Sequence, residues 1–233
     1  MDSLAMHIAN GIINLPVSLA FAALAVGVLA ICVQRARHDL DDRLAPMAGL
    51  VAAFIFAAQM LPFPVLPGVA GHLLGGALAA ILVGPWVGAL CVAVVLVVQA
   101  LVFSDGGLSA LGLNITNMAL VGTAAGYLLV AVLLRVLPRT TAGLGITAFV
   151  ASVVSVVVSS QAFILEYWLG GEISLKMSLA QAAGVMGGVH ALIGIGEGLI
   201  AAVTVMAVAK VRPDLVYALR ALRRTPVKET VAA

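Results

Sequence analysis

Charge is what this sequence has least of. Of 233 residues, 9% are Asp, Glu, Lys or Arg, while 63% are hydrophobic and the mean hydropathy is +1.20. Soluble domains carry about 25% charged residues, so a soluble globular domain is excluded and an integral membrane protein remains. Aromatics are scarce as well, at 5%, which argues against a ring-walled pocket for a large organic ligand. The two cysteines, Cys32 and Cys91, lie inside apolar runs without CxxC spacing, so a disulfide framework or thiolate metal site is not expected. Also missing are the GxxxxGK[ST] phosphate loop, a nucleophile elbow and HExxH, so neither an ATP site nor enzyme chemistry is expected. Nothing points to a nucleic acid; the expected surroundings are a lipid bilayer. What abounds is Ala and Gly (24 glycines), the small residues that let helices approach closely in lipid.

Crossing a bilayer takes about 20 apolar residues. Charges, prolines and glycines mark off such stretches near 12–33, 44–61, 69–84, 86–103, 114–136, 143–165 and 183–209. The expected fold is therefore all-α and polytopic, a single domain of about seven transmembrane helices. The first run, Gly11–Val33, has no basic region ahead of it and is expected to stay as a helix rather than be cleaved. All of the 12 Lys and Arg residues except Lys176 fall after spans one, five and seven: Arg35, Arg37 and Arg43; Arg135 and Arg139; then Lys210 to Lys228. The positive-inside rule then predicts the N-terminus outside and the C-terminus in the cytoplasm.

This orientation sorts the few polar side chains. His7, His72 and His190 fall on the outer side and His38 on the cytoplasmic side. Asp105, Glu166 and Glu172 also face outward, and Glu197 lies seven residues from His190 on the same helix face. Ionisable groups within a span are costly and face a cavity or a partner, so three outward imidazoles on separate spans can converge on one ligand. Each has a plainer alternative, a hydrogen bond at the headgroup boundary or, for His190 and Glu197, an interhelical packing contact. Gly71, Gly75 and Gly76 around His72 suit either close backbone approach to its ring or a helix contact. In "VFSDGGLSALGLNITNM" (102–118), Asp105–Gly107 signals a turn. Asn114 and Asn117, three apart, are expected to share a face and to orient a ligating histidine. A plain external loop is the alternative.

Four stretches, "MHIANG", "GHLLGG", "SDGGLSALGLNITNM" and "HALIGIGEGLI", in this order and spacing, resemble the CbiM/NikM family from Met6 to about Lys210. These are the substrate-binding membrane components of energy-coupling factor transporters for cobalt and nickel. The resemblance implies a metal held by four nitrogens: the Met6 amine, the His7 amide and imidazole, and His72. A planar set of nitrogens suits Ni(II) or Co(II) better than tetrahedral Zn(II) or the oxygen-seeking Mg(II) and Ca(II). It also implies a CbiQ-like transmembrane coupling subunit, two CbiO-like cytoplasmic ATPase subunits and a small accessory membrane subunit. The setting would be the cell membrane of a bacterium or archaeon. Small-residue faces such as Ala53 with Ala57, or Ala23 with Gly27, are candidates for the coupling contact.

A free Met6 amine requires the chain to begin there. Residues 1–5, "MDSLA", are too short for a signal peptide and are expected to be an extension from a misassigned upstream start. The expected division is thus 1–5 as extension, 6–210 as transmembrane metal-binding domain and 211–233 as basic cytoplasmic tail. Asn10 stands where the family often has an acid, and Ser104 where it often has glycine. The "DGG" element is closer to the cobalt branch, so cobalt uptake supplying cobalamin synthesis is expected, with nickel as the alternative. A vitamin-binding component of the same transporter type and a structural membrane protein are the more distant alternatives.

Overall fold

The computed structural model describes residues 7–40, 44–66, 69–138 and 140–223. Met6 and residues 1–5, and the tail beyond 223, lie outside them. A short N-terminal segment leads into α1 (Leu15–Asp39), followed by α2 (Leu44–Gln59) and a hairpin of β1 (Phe63–Leu66) and β2 (Val69–Gly71). An irregular stretch, 72–75, then enters α3 (Gly76–Val83), and α4 (Pro85–Val102) returns. A 3₁₀ turn (Leu108–Ala110), α5 (Leu111–Asn114), a π-helical stretch (Ile115–Gly122) and α6 (Thr123–Val136) run on as one rod. Two long helices, α7 (Thr141–Gly170) and α8 (Leu179–Val211), and the short α9 (Tyr217–Arg223) complete the described chain.

Helix starts follow local chemistry. Asn14 caps α1 by accepting from Val17 N–H at 3.0 Å, with Pro16 in the first turn where its missing donor costs nothing. Thr140 caps α7, and Ser178 with Gln181 forms a reciprocal capping box on α8. Between α3 and α4, Gly84 takes φ +88° and Pro85 begins the next helix, which makes a tight reversal.

Five helices are long and apolar enough to cross a membrane: Leu15–Asp39, Pro85–Val102, Leu108–Val136, Thr141–Gly170 and Leu179–Val211. α2, with 16 residues, is a shorter apolar helix. The expected third span, 69–84, is not a crossing helix. Its first part closes a hairpin, and its helix has 8 residues, about 12 Å of rise against a hydrocarbon core of roughly 30 Å. Every residue from His72 to Val83 is buried, so this stretch is the centre of the bundle and not a lipid-facing span. By contrast α1 buries only Ser18, Ala25, Cys32 and Ala36, and turns Leu19, Val26 and Ile31 outward. An apolar outer face of this kind fits lipid or a membrane partner.

Small residues set the tightest contacts. Gly194 and Gly198 of α8 seat against Val153 and Phe149 of α7, where an added Cβ would come within 2.9 and 2.7 Å of their atoms. Gly76 answers the two uses expected of the glycines beside His72. A Cβ there would lie 2.8 Å from Thr123 N, so it serves the packing of α3 against α6. Cys32 and Cys91 are both buried and unpaired.

Candidate metal centre

The described chain begins with a segment stitched along one end of the bundle. Asn14 N–H donates to Gly170 O at 2.7 Å, Glu172 N–H to Ile12 O at 3.0 Å, and Gly107 N–H to Ile8 O at 2.9 Å. Asn114 closes the clamp: its Oδ1 accepts from Ile8 N–H at 3.1 Å and its Nδ2 donates to Ile8 O at 3.4 Å. Asn10 Oδ1 accepts from both the backbone and the hydroxyl of Ser109. An acceptor is all that this position requires, so the departure from an acid costs no contact.

The "DGG" turn acquires a purpose from this segment. Gly106 has φ +88°, and a Cβ on it would fall 2.8 Å from the His7 Cβ; one on Gly107 would fall 2.4 Å from Asn10 N. The two glycines are the slot in which residues 7–10 lie. Asp105 brings its Oδ1 to 3.2 Å from His7 Nδ1, and His7 Nε2 is buried without a hydrogen-bond partner among the described residues. His7 itself is 8% exposed.

His72 arrives from the other side, in the stretch between β2 and α3. Irregular backbone inside a bundle must have its polar groups satisfied by the protein. Glu197, fully buried on α8, does this with both oxygens, accepting from Leu74 N–H at 2.6 Å and Gly75 N–H at 3.2 Å. Gln59 Nε2 donates to Leu74 O at 2.9 Å. The His72 ring has its Nδ1 3.0 Å from Leu73 O. A carbonyl only accepts, so Nδ1 carries the proton and Nε2 the lone pair.

The two segments meet. The rings of His7 and His72 lie 5.0 Å apart between centroids, tilted by 53°. They line a cavity of about 240 Å³ together with Ile8, Leu74, Asn114, Asn117, Ser159, Ser160 and His190. Three of the four histidines therefore share one cavity, while His38 is exposed near the end of α1. Among the described residues, no three His, Cys, Asp or Glu side chains stand closely enough to hold a metal ion.

Several expectations need correction. His72 does not sit in a membrane-crossing helix. Asn114 and Asn117 both border the cavity, but Asn114 grips the Ile8 backbone and Asn117 Nδ2 donates to Glu166 Oε2 at 2.8 Å. The π-helical turns between them break the expectation that residues three apart share one bearing. Glu166 does not face outward; it is fully buried. Glu197 is not a packing partner of His190 but the clamp on the segment after His72. Gln59 and Glu166 were not anticipated as parts of the site, although a polar residue inside an apolar run is itself a signal.

Comparison with known proteins agrees with this geometry. Residues 7–215 match the family described as CbiM, cobalt uptake substrate-specific transmembrane region. A chain of Archaeoglobus fulgidus, provisionally named a fused nickel transport protein NikMN, is 40% identical over 91% of this chain and 68% of its own length. A cobalt transport protein CbiM of Sorangium cellulosum is 32% identical over 95% of this chain and 99% of its own. A crystal structure of a truncated transition metal transporter superposes with a TM-score of 0.75 at 25% identity, covering 88% of this chain and 99% of that one.

Proposed function

The chain belongs to the CbiM family of multi-pass membrane transport proteins, which are not enzymes, and from that premise we propose that it captures Co(II), with Ni(II) as the alternative cargo, for import by a larger complex. The observation that carries the proposal is the His7–His72 pair, two imidazoles 5.0 Å apart in a shared cavity without a third metal-binding side chain. A site short of side chains is completed by main-chain nitrogens. The Met6 amine and the His7 amide are the donors within reach of the His7 ring, and with His72 they make four nitrogens. Only Nδ1 is close enough to the backbone to close a compact chelate, so on loading His7 Nδ1 exchanges Asp105 for the metal. Asp105 then serves to hold the ring in place beforehand. A cavity of about 240 Å³ lies below the roughly 300–1,000 Å³ typical of organic-ligand pockets and suits an ion better than a vitamin.

Sidedness follows from charge. α1, α6 and α8 all run away from the cavity end, and their last turns hold Arg37, Arg135 and Lys210. The positive-inside rule makes that end cytoplasmic and opens the cavity end to the outside. Ala53, Ala57, Ala23 and Gly27 are exposed, as contacts with a CbiQ-like coupling subunit require, and the energy would come from CbiO-like ATPases. Supply to cobalamin synthesis fits cobalt as cargo. The test is Co(II) and Ni(II) uptake by cells with the whole transporter and with His72→Ala in this subunit. Uptake that survives the substitution would refute capture at this site.

A further inference from the structure

The capture site uses one side of the cavity, the N-terminal segment and residues 72–75. The other side is built by α7, α8 and the π-helical stretch, and it presents His190, Met186, Ser159, Ser160 and Asn117. Its polar groups are set toward a ligand. His190 Nδ1 lies 2.8 Å from Met186 O, so Nδ1 carries the proton and Nε2 keeps the lone pair that an imidazole offers to a metal. Asn117 and Ser159 are 5% and 3% exposed, yet Asn117 Oδ1 and Ser159 Oγ have no hydrogen-bond partner among the described residues. The Asn117 amide cannot simply turn over to find one, because its Nδ2 is engaged by the buried Glu166. Orphaned acceptors in a low-dielectric bundle are costly and mark a missing partner. His190 does not converge with His7 and His72 closely enough for all three to hold a single ion.

We infer that this wall is a second, weaker station for a divalent transition-metal ion, held by His190 Nε2 and by Asn117 Oδ1 and Ser159 Oγ through the ion's own waters. The inference rests on the capture reading above. One neutral imidazole with neutral oxygens brings no negative charge and no chelate ring, so it binds a hydrated Co(II) or Ni(II) loosely. Such a station passes an ion to or from the four-nitrogen site without trapping it.

Equilibrium dialysis of the purified full-length protein against Co(II) tests this. The wild type binds two ions per chain, one tight and one weak. His190→Gln retains the tight ion and loses the weak one, and His72→Ala does the reverse. His190→Cys, loaded with Co(II), gains a thiolate-to-cobalt charge-transfer absorption absent from the wild type, whose Cys32 and Cys91 are buried. A wild-type chain that binds a single Co(II) overturns the second station and leaves the capture reading standing. So does a folded His190→Gln or His72→Ala protein that loses both ions, or a metal-loaded His190→Cys protein without the new absorption. A wild-type chain that binds neither Co(II) nor Ni(II) removes the capture reading itself.

Discussion

Residues 7–14 reach the cavity along the end of the bundle, half-exposed and tied by neutral amides, whereas residues 72–75 reach it from inside and are wholly buried. The first segment hangs on Asn114, Asn10 and backbone bonds to 107 and 170–172. The second hangs on a buried carboxylate and a buried amide, Glu197 and Gln59. Water can replace a lost hydrogen bond in the first case and cannot in the second, where each orphaned backbone N–H costs about 1–3 kcal/mol. One ligand is thus mounted on a yielding support and the other on a rigid one, a division that local opening should reveal.

The largest effect removes the ligands, after which the comparison has nothing to hold. His7→Ala and His72→Ala should each abolish high-affinity Co(II) or Ni(II) binding by calorimetry, while His38→Ala should bind like wild type. A protein with either of the first two changes that retained full affinity would end the assignment. Next comes the amine. A protein forced to keep residues 1–5, with Met6→Leu, should bind and transport poorly, and intact mass of the native protein should show Met6 first. A native chain beginning at Met1 that binds tightly would require a site rebuilt on His7 and His72 without the amine. Imidazole and amine must lose protons to bind, so affinity should also fall as pH drops through about 6.5, the range where a free imidazole protonates.

The supports come third, and they test the comparison directly. In Glu197→Gln the amide NH₂ faces a backbone N–H, so a donor meets a donor. We expect about 10–100-fold weaker metal binding together with a lower melting temperature. Asn114→Ala should fall at the lower end of that range with little change in melting. The reverse order would show that the N-terminal segment is the stiffer support. The smallest effect is at Ser104, a non-glycine residue at φ +54° just before the "DGG" slot. Ser104→Gly should relieve strain of about 1 kcal/mol and raise the melting temperature slightly, with metal affinity unchanged. A fall in stability would mean that the serine side chain contributes something its position does not show.

The long helices were legible because an apolar run bounded by Gly, Pro and charge has few other solutions in lipid. The motif residues His7, His72 and Asp105 were legible for the same reason: polar groups are scarce, so each stands out. The stretch 69–84 was not legible, since apolar periodicity does not separate a short buried strand and helix from one continuous span. Nor was the clamp between Leu74 and Glu197, which joins residues 123 apart and depends on how α3 sits against α8. Asn114 and Asn117 show the same limit at short range. Their spacing predicts one face, and the backbone between them does not keep ordinary helical turns.

That π-helical stretch, Ile115–Gly122, has a consequence for how the family can vary. Turns closed over five residues hold surplus chain compared with turns closed over four. Deleting a single residue, Ala119 for instance, would let the rod relax to the common pitch and swing everything after it by roughly 100°. Thr123, Gly126, Val130 and Leu134, which α6 now turns inward, would rotate toward lipid, and Ser155 Oγ would lose the Gly122 carbonyl to which it donates at 2.8 Å. In most membrane helices a one-residue gap is a change of length. Here it is a change of phase between the half of the rod that serves the metal and the half that packs the bundle.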